Sequence, residues 1–165
     1  MFKRVAGAAG LAVAVALLSA GAALADAGGR GTVTITQHAH NVQLFSDAVT
    51  NPCNGESGTL TAIAANEVFH LTFFTNGDEL WVTGTDEGTA TFTPDDPSGV
   101  SASGHFAAWF GESLNEKNDV QHDTFNLQLR ATDGSVIVVH ETAHLSTNAA
   151  GEVTVNFDKM SVSCH

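Results

Sequence analysis

The chain has 165 residues, with 18 acidic side chains against 6 basic ones and a formal net charge of −12. A field of that sign repels phosphate backbones and anionic headgroups, so nucleic acid and membrane surfaces are excluded as natural partners and neutral or cationic guests are favoured. The two cysteines are too few for a disulfide-dense scaffold, so a hydrophobic core must carry the fold.

Lys3 and Arg4 precede an uncharged run built almost wholly of Ala, Gly, Val and Leu from Val5 to Leu24, which ends in Ala23-Leu24-Ala25 just before Asp26. This is the layout of a secretory signal peptide with a small-x-small cleavage site. Cleavage is expected after Ala25, with Ala27 as the second choice, and an uncleaved membrane anchor is the alternative. The mature domain then spans residues 26–165. It keeps four basic residues (Arg30, Lys117, Arg130, Lys159) against 18 acidic ones, a net charge of −14. The expected destination is secreted and extracellular, where Cys53 and Cys164 can form a persistent bridge.

Helical periodicity is missing from the mature region, and apolar residues alternate with polar ones instead. Val33 and Ile35 alternate with Thr34 and Thr36. Ala102, Phe106, Ala108 and Phe110 alternate with Ser101, Ser103 and His105. Phe125, Leu127, Leu129 and Ala131 oppose Thr124, Asn126, Gln128 and Arg130, and Val153, Val155 and Phe157 oppose Thr154 and Asn156. Turn chemistry falls between these runs at Asn76-Gly77-Asp78, Pro94-Asp95-Asp96-Pro97, Asp133-Gly134 and Asn148 to Gly151. Strands are predicted near 32–46, 58–65, 67–75, 80–93, 99–111, 121–132, 135–147 and 152–163. The predicted fold is all-β: an antiparallel up-and-down meander of seven or eight strands closing into a small barrel, with a two-sheet sandwich as the alternative.

Parity sets a condition on the disulfide. In a strict eight-strand meander the last strand ends beside the start of the first, whereas Cys53 follows the first strand at the opposite rim. Either residues 58–75 form one bent strand, giving seven, or the loop from Asn51 to Ser57 folds back along the barrel.

The segments Asn51-Pro52-Cys53-Asn54-Gly55-Glu56, Val68-Phe69-His70, Val82-Thr83-Gly84-Thr85, Pro94-Asp95-Asp96-Pro97, Trp109-Phe110-Gly111, Asp133-Gly134-Ser135 and Phe157-Asp158-Lys159 give the chain a resemblance to a group of small secreted proteins of high-GC Gram-positive bacteria. The resemblance covers nearly the whole mature region and implies export, the disulfide and an all-β domain; the group has no assigned activity, so no reaction is implied. Calycins and allene-oxide-cyclase-like barrels are similar in architecture alone, which is no warrant for function.

Several residues carry chemistry. His140-Glu141-Thr142-Ala143-His144 matches the H-E-x-x-H string of zinc proteases, which works only on a helix. The preceding Val136-Ile137-Val138-Val139 predicts a strand, where a four-residue spacing is roughly 13 Å, so the protease reading is rejected. Glu141 shares its predicted face with Ile137, Val139, Ala143 and Leu145; inward, it is a candidate ligand anchor or general base. A register shift would instead turn it outward and bring His140 and His144 in. Gln37 is predicted inward on the first strand. His38 and His40, two apart on a strand, are candidate metal ligands, with solvated surface imidazoles as the competing assignment. Trp81, Trp109 and Phe110 are candidate ligand-binding aromatics, the two tryptophans as an outward platform. The loop Glu112 to Asp119 is rich in oxygen ligands but lacks the order of a calcium loop. No cofactor-binding motif is present, and oligomeric state is not fixed by the sequence.

These residues suggest a secreted, non-enzymatic binding protein for a small hydrophobic or carbohydrate ligand, held in a barrel cavity or on an aromatic patch. Alternatives are a barrel isomerase or cyclase using Glu141, with Gln37 or His140 assisting, and a cell-envelope structural or interaction protein.

Overall fold

The protein is described by a computed structural model covering residues 31–74 and 79–165. The signal-peptide and cleavage assignments and the Asn76-Gly77-Asp78 turn lie outside these residues.

Eight strands form one antiparallel sheet: β1 (Thr32–Ala39), β2 (Val42–Thr50), β3 (Ser57–Phe74), β4 (Glu79–Pro94), β5 (Ala102–Asn115), β6 (Asn118–Ala131), β7 (Val136–Asn148) and β8 (Val153–Cys164). The order across the sheet is β1-β3-β4-β5-β6-β7-β8, and β2 also pairs with β3. Every connection between paired neighbours runs up and down, as the alternation predicts.

The division of the first and third strands differs from the sequence-based expectation. The third strand is unbroken across Asn66, which marks a bulge where Ala64 and Asn66 pair with successive residues of β4. The extra residue resets the alternation, so Ala64 and Glu67 face the same way. The break occurs instead in the first strand, where Asn41 adopts a φ of 56°. β1 pairs with the second half of β3 and β2 with the first half, so together they make one interrupted row.

Counting that row once leaves seven, an odd number, so β8 runs in the same direction as β2 and both end at one rim. That resolves the parity problem, and Cys53 and Cys164 are joined there with their Cα atoms 5.8 Å apart. The turn between β2 and β3 is built for the position: buried Asn51 accepts the Cys53 N–H through Oδ1 at 2.9 Å, and the Glu56 carboxylate accepts the Val100 N–H of the neighbouring connection at 3.1 Å. Closure into a barrel is not made by hydrogen bonds. Among the described residues the ladder ends at β1 and β2 on one side and at β8 on the other.

The inner face is defined by the buried residues. Leu60, Ala62, Ala64, Ala90, Phe92, Ala102, Phe106, Leu127, Leu129, Ala131 and Ile137 form the core, concentrated at the disulfide end. Alanine recurs among them, at Ala62, Ala64, Ala90, Ala102 and Ala131. Farther along, the Phe110 ring lies where a β-carbon on Gly84 would be, so only glycine fits beneath it.

β8 departs from the predicted pattern. Its inward residues have the parity of Cys164, namely Met160 and Val162, since the register Ile137↔Cys164, Val139↔Val162 and Glu141↔Met160 fixes them. Val155 and Phe157 therefore face outward, and all twelve residues are exposed. Cys164 shares this parity with the apolar Met160 and Val162, so the apolar alternation changes phase between Phe157 and Met160.

Candidate functional site

Opposite faces of β3 to β6 carry different chemistry. On the outer face, Trp109 of β5 stands next to Thr85 of β4 and Thr124 of β6, and Ala107 precedes it on the same face. Alanine makes a low floor between taller neighbours. A groove of about 420 Å³ opens there, walled by Trp109, Glu87, Asn66, Asn126 and Thr124. That is within the range of small-molecule sites, though a site of this kind on a sheet face stays open to solvent.

The groove's polar groups are held in place. Asn66 donates through Nδ2 to Glu87 Oε1 at 2.9 Å, and Asn126 Oδ1 lies 2.7 Å from His140 Nδ1. Asn66 also meets His40 Nδ1 at 3.1 Å, and that imidazole lies 3.2 Å from the Ala65 carbonyl oxygen. The Trp109 indole leans along its strand so that its Cη2 sits over Gly111. Trp109 remains 45 % exposed.

The inner face beyond the core carries carboxylates. Glu67 and Asp86 are directly opposite on β3 and β4, and both are buried, at 4 % and 6 % exposure. Asp86 Oδ1 has no hydrogen-bond partner. Among the described residues no cation shares this face: register places Arg130 and Lys159 outward, and Lys117 lies in the turn between β5 and β6. Burial pushes the Asp86 carboxyl up to about 6, with the Glu67 charge adding to the rise. Burial raises Glu67 as well. Two like charges without a counterion cannot both stay ionised cheaply, so the pair favours holding a proton.

Glu141 faces inward on β7 opposite Phe125 and Met160, half-buried. Desolvation raises its pKa first, and the charges of Asp158 and Asp123 add to the effect. The alternative register, with His140 and His144 inside, does not occur; the whole His140 to His144 segment is β-strand and both imidazoles are outward. His140 cannot assist Glu141 because it lies on the other side of the sheet. Gln37 is inward opposite Phe69 on β3.

Other sequence candidates separate. Phe110 faces inward against Phe69, with ring centroids 5.3 Å apart, so it belongs to inner packing rather than to the Trp109 groove. Trp81 is outward and 47 % exposed, packed edge-on against Phe74 at 4.9 Å, and its Nε1–H donates to Glu79 at 2.6 Å. It stands four positions up the strand from Thr85, beyond the groove. His38 is exposed on β1, while His40 is turned onto the β3 bulge, so the two do not converge. The segment from Glu112 to Asp119 is not a loop. β5 runs to Asn115 and β6 starts at Asn118, which puts Glu112 opposite Gln121 and Asp119 opposite Leu114.

Among the features that sequence reading missed are an acidic pair and an imidazole pair. The Glu67–Asp86 pair depends on the β3 bulge, which flips Glu67 inward; the Asn66 break signal marked the position without revealing its consequence. The edge-to-face contact of His122 with His144 depends on a register between residues 22 apart and left no local trace. No family model, curated protein or solved structure matches this chain.

Proposed function

We propose that this is an exported binding module for neutral saccharides, with the outer groove beside Trp109 as its site. The observation that carries the reading is an outward, half-exposed indole next to an alanine-floored groove ringed by amide, hydroxyl and carboxylate groups. An aromatic face suits the C–H side of a sugar ring, and the amides and hydroxyls suit its hydroxyl groups. The negative surface argues for a neutral ligand over an anionic one. A Cys53–Cys164 bridge is compatible with an extracellular location. In this reading the curled sheet is a barrel left open along one seam and tied at one rim by the disulfide.

Calorimetric titration with a panel of neutral oligosaccharides tests it. Binding that survives Trp81→Ala and is lost in Trp109→Ala is the expected result. Absence of binding across the panel, or equal binding by Trp109→Ala, would refute the reading.

An acid-base reading of Glu141 has one specific support: an inward, desolvated carboxylate flanked by Asp123 and Asp158. It is lost if Glu141→Gln leaves any detected turnover unchanged.

A further inference from the structure

The outer face of β6 and β7 brings together two imidazoles that the groove does not use. His122 and His144 are direct cross-strand partners in the interior of the sheet, held by the flanking pairs Gln121↔Leu145 and Asp123↔Ala143. Their Nδ1 atoms are 3.0 Å apart, and the rings meet edge to face with centroids 3.9 Å apart. At that separation the two nitrogens share one proton in a hydrogen bond, one ring donating from Nδ1 and the other accepting.

We propose that His122 and His144 are a two-imidazole chelate for a divalent transition-metal ion, with both Nδ1 atoms as ligands. Two nitrogens bound tetrahedrally to one ion at about 2.0–2.1 Å lie roughly 3.3–3.4 Å from each other. The Nδ1 atoms need to open by only a few tenths of an ångström, but the rings, edge to face with centroids 3.9 Å apart, must also turn and swing apart by roughly 1 Å so that both lone pairs converge on the ion. The donating ring moves its proton from Nδ1 to Nε2, so both neutral imidazoles present a lone pair and no proton is released.

The surroundings suit this chemistry. On one side the next outward position is Gly111, opposite His122, whose lack of a side chain leaves room that the tip of the Trp109 indole partly occupies. On the other side Phe157 stands opposite His144. Among the described residues no third Cys, His, Asp or Glu joins the pair in a metal-binding group, so water would complete the coordination, as in an open site. Imidazole ligands select zinc, nickel or copper over calcium and magnesium, which require oxygen. The strongly negative chain raises the local concentration of any cation.

Titration of the disulfide-bonded protein with Zn²⁺ and Ni²⁺ tests the proposal, read by calorimetry and by the imidazole nitrogen shifts in NMR. One ion per chain is expected, moving the Nδ1 signals of both rings, with affinity falling at least about tenfold in His122→Asn and in His144→Asn. The His38→Asn/His40→Asn double variant is expected to bind as the parent does. The Nδ1 shifts of the unaltered protein keep the test valid even if a variant folds poorly. No binding, Nδ1 signals that do not move, or a loss confined to the His38/His40 variant would each overturn the assignment.

Discussion

The two faces of β5 differ within five residues. Phe106 and Phe110 point inward, Phe106 into the core and Phe110 onto Phe69, whereas Trp109 points outward with 45 % of its surface exposed. The inner rings are accounted for by packing. The outer ring has little packing to explain it, and it borders the groove. The contrast separates an aromatic side chain that builds the protein from one that the fold leaves to a partner.

Four perturbations sharpen that contrast. The largest concerns the tie between the sheet's edges: Cys53→Ala with Cys164→Ala releases a link between residues 111 apart in sequence, at a cost of about 4 to 5 kcal/mol by the chain-entropy model. Urea unfolding of the variant against the oxidised parent measures it. Next is Phe106→Ala, which removes a ring that is 3 % exposed. It should cost about 3 to 5 kcal/mol in the same assay, while Trp109→Ala should cost less than about 1 kcal/mol. Equal costs would erase the distinction between the faces.

The inner carboxylates give a pH signature. Because the folded-state pKa of Asp86 is raised from 3.8 to about 6, its contribution to stability is fully present below its ordinary value and is lost as pH rises through 6. Glu67, Glu112, Asp123 and Glu141 are also raised and act in the same direction. Unfolding free energy should therefore be greater at pH 4.5 than at pH 8, with about 1 to 2 kcal/mol of the difference due to Asp86. Asp86→Asn should remove that share, and a parent protein whose stability rises from pH 4.5 to 8 would contradict the buried pair. The smallest effect is at a turn. Gly134 has a φ of 92°, so Gly134→Ala should cost about 1 kcal/mol in thermal unfolding.

Much of this was legible in the sequence because alternation is local. The inward set on β6 and the outward tryptophans follow from period-two spacing, whereas for Glu141 the sequence left two registers open and the pairing of β7 with β6 and β8 decides between them. Asp133-Gly134 marked its turn equally well, with Asp133 Oδ1 accepting from the Ser135 N–H and Oγ–H. Features that depend on pairing were not legible. A bulge at Asn66 reads locally as a strand end. Asn115 and Asn118 close a tight hairpin whose Glu- and Asn-rich composition resembles a loop, and the Asn115 side chain that accepts the Lys117 and Asn118 N–H groups makes the reversal possible. In β8 the outward turn of Val155 and Phe157 follows from the pairing register with β7, which the start of the strand does not show by itself. The groove itself is a property of four strands in register, so no single segment announces it.

The most direct test pairs two readouts on one substitution. In Trp109→Ala, the unfolding midpoint should stay near that of the parent while calorimetric binding of neutral oligosaccharides disappears. A variant that keeps the ligand yet loses stability on the scale of Phe106→Ala would show that the indole serves the fold, and the groove would have no claim to be the site.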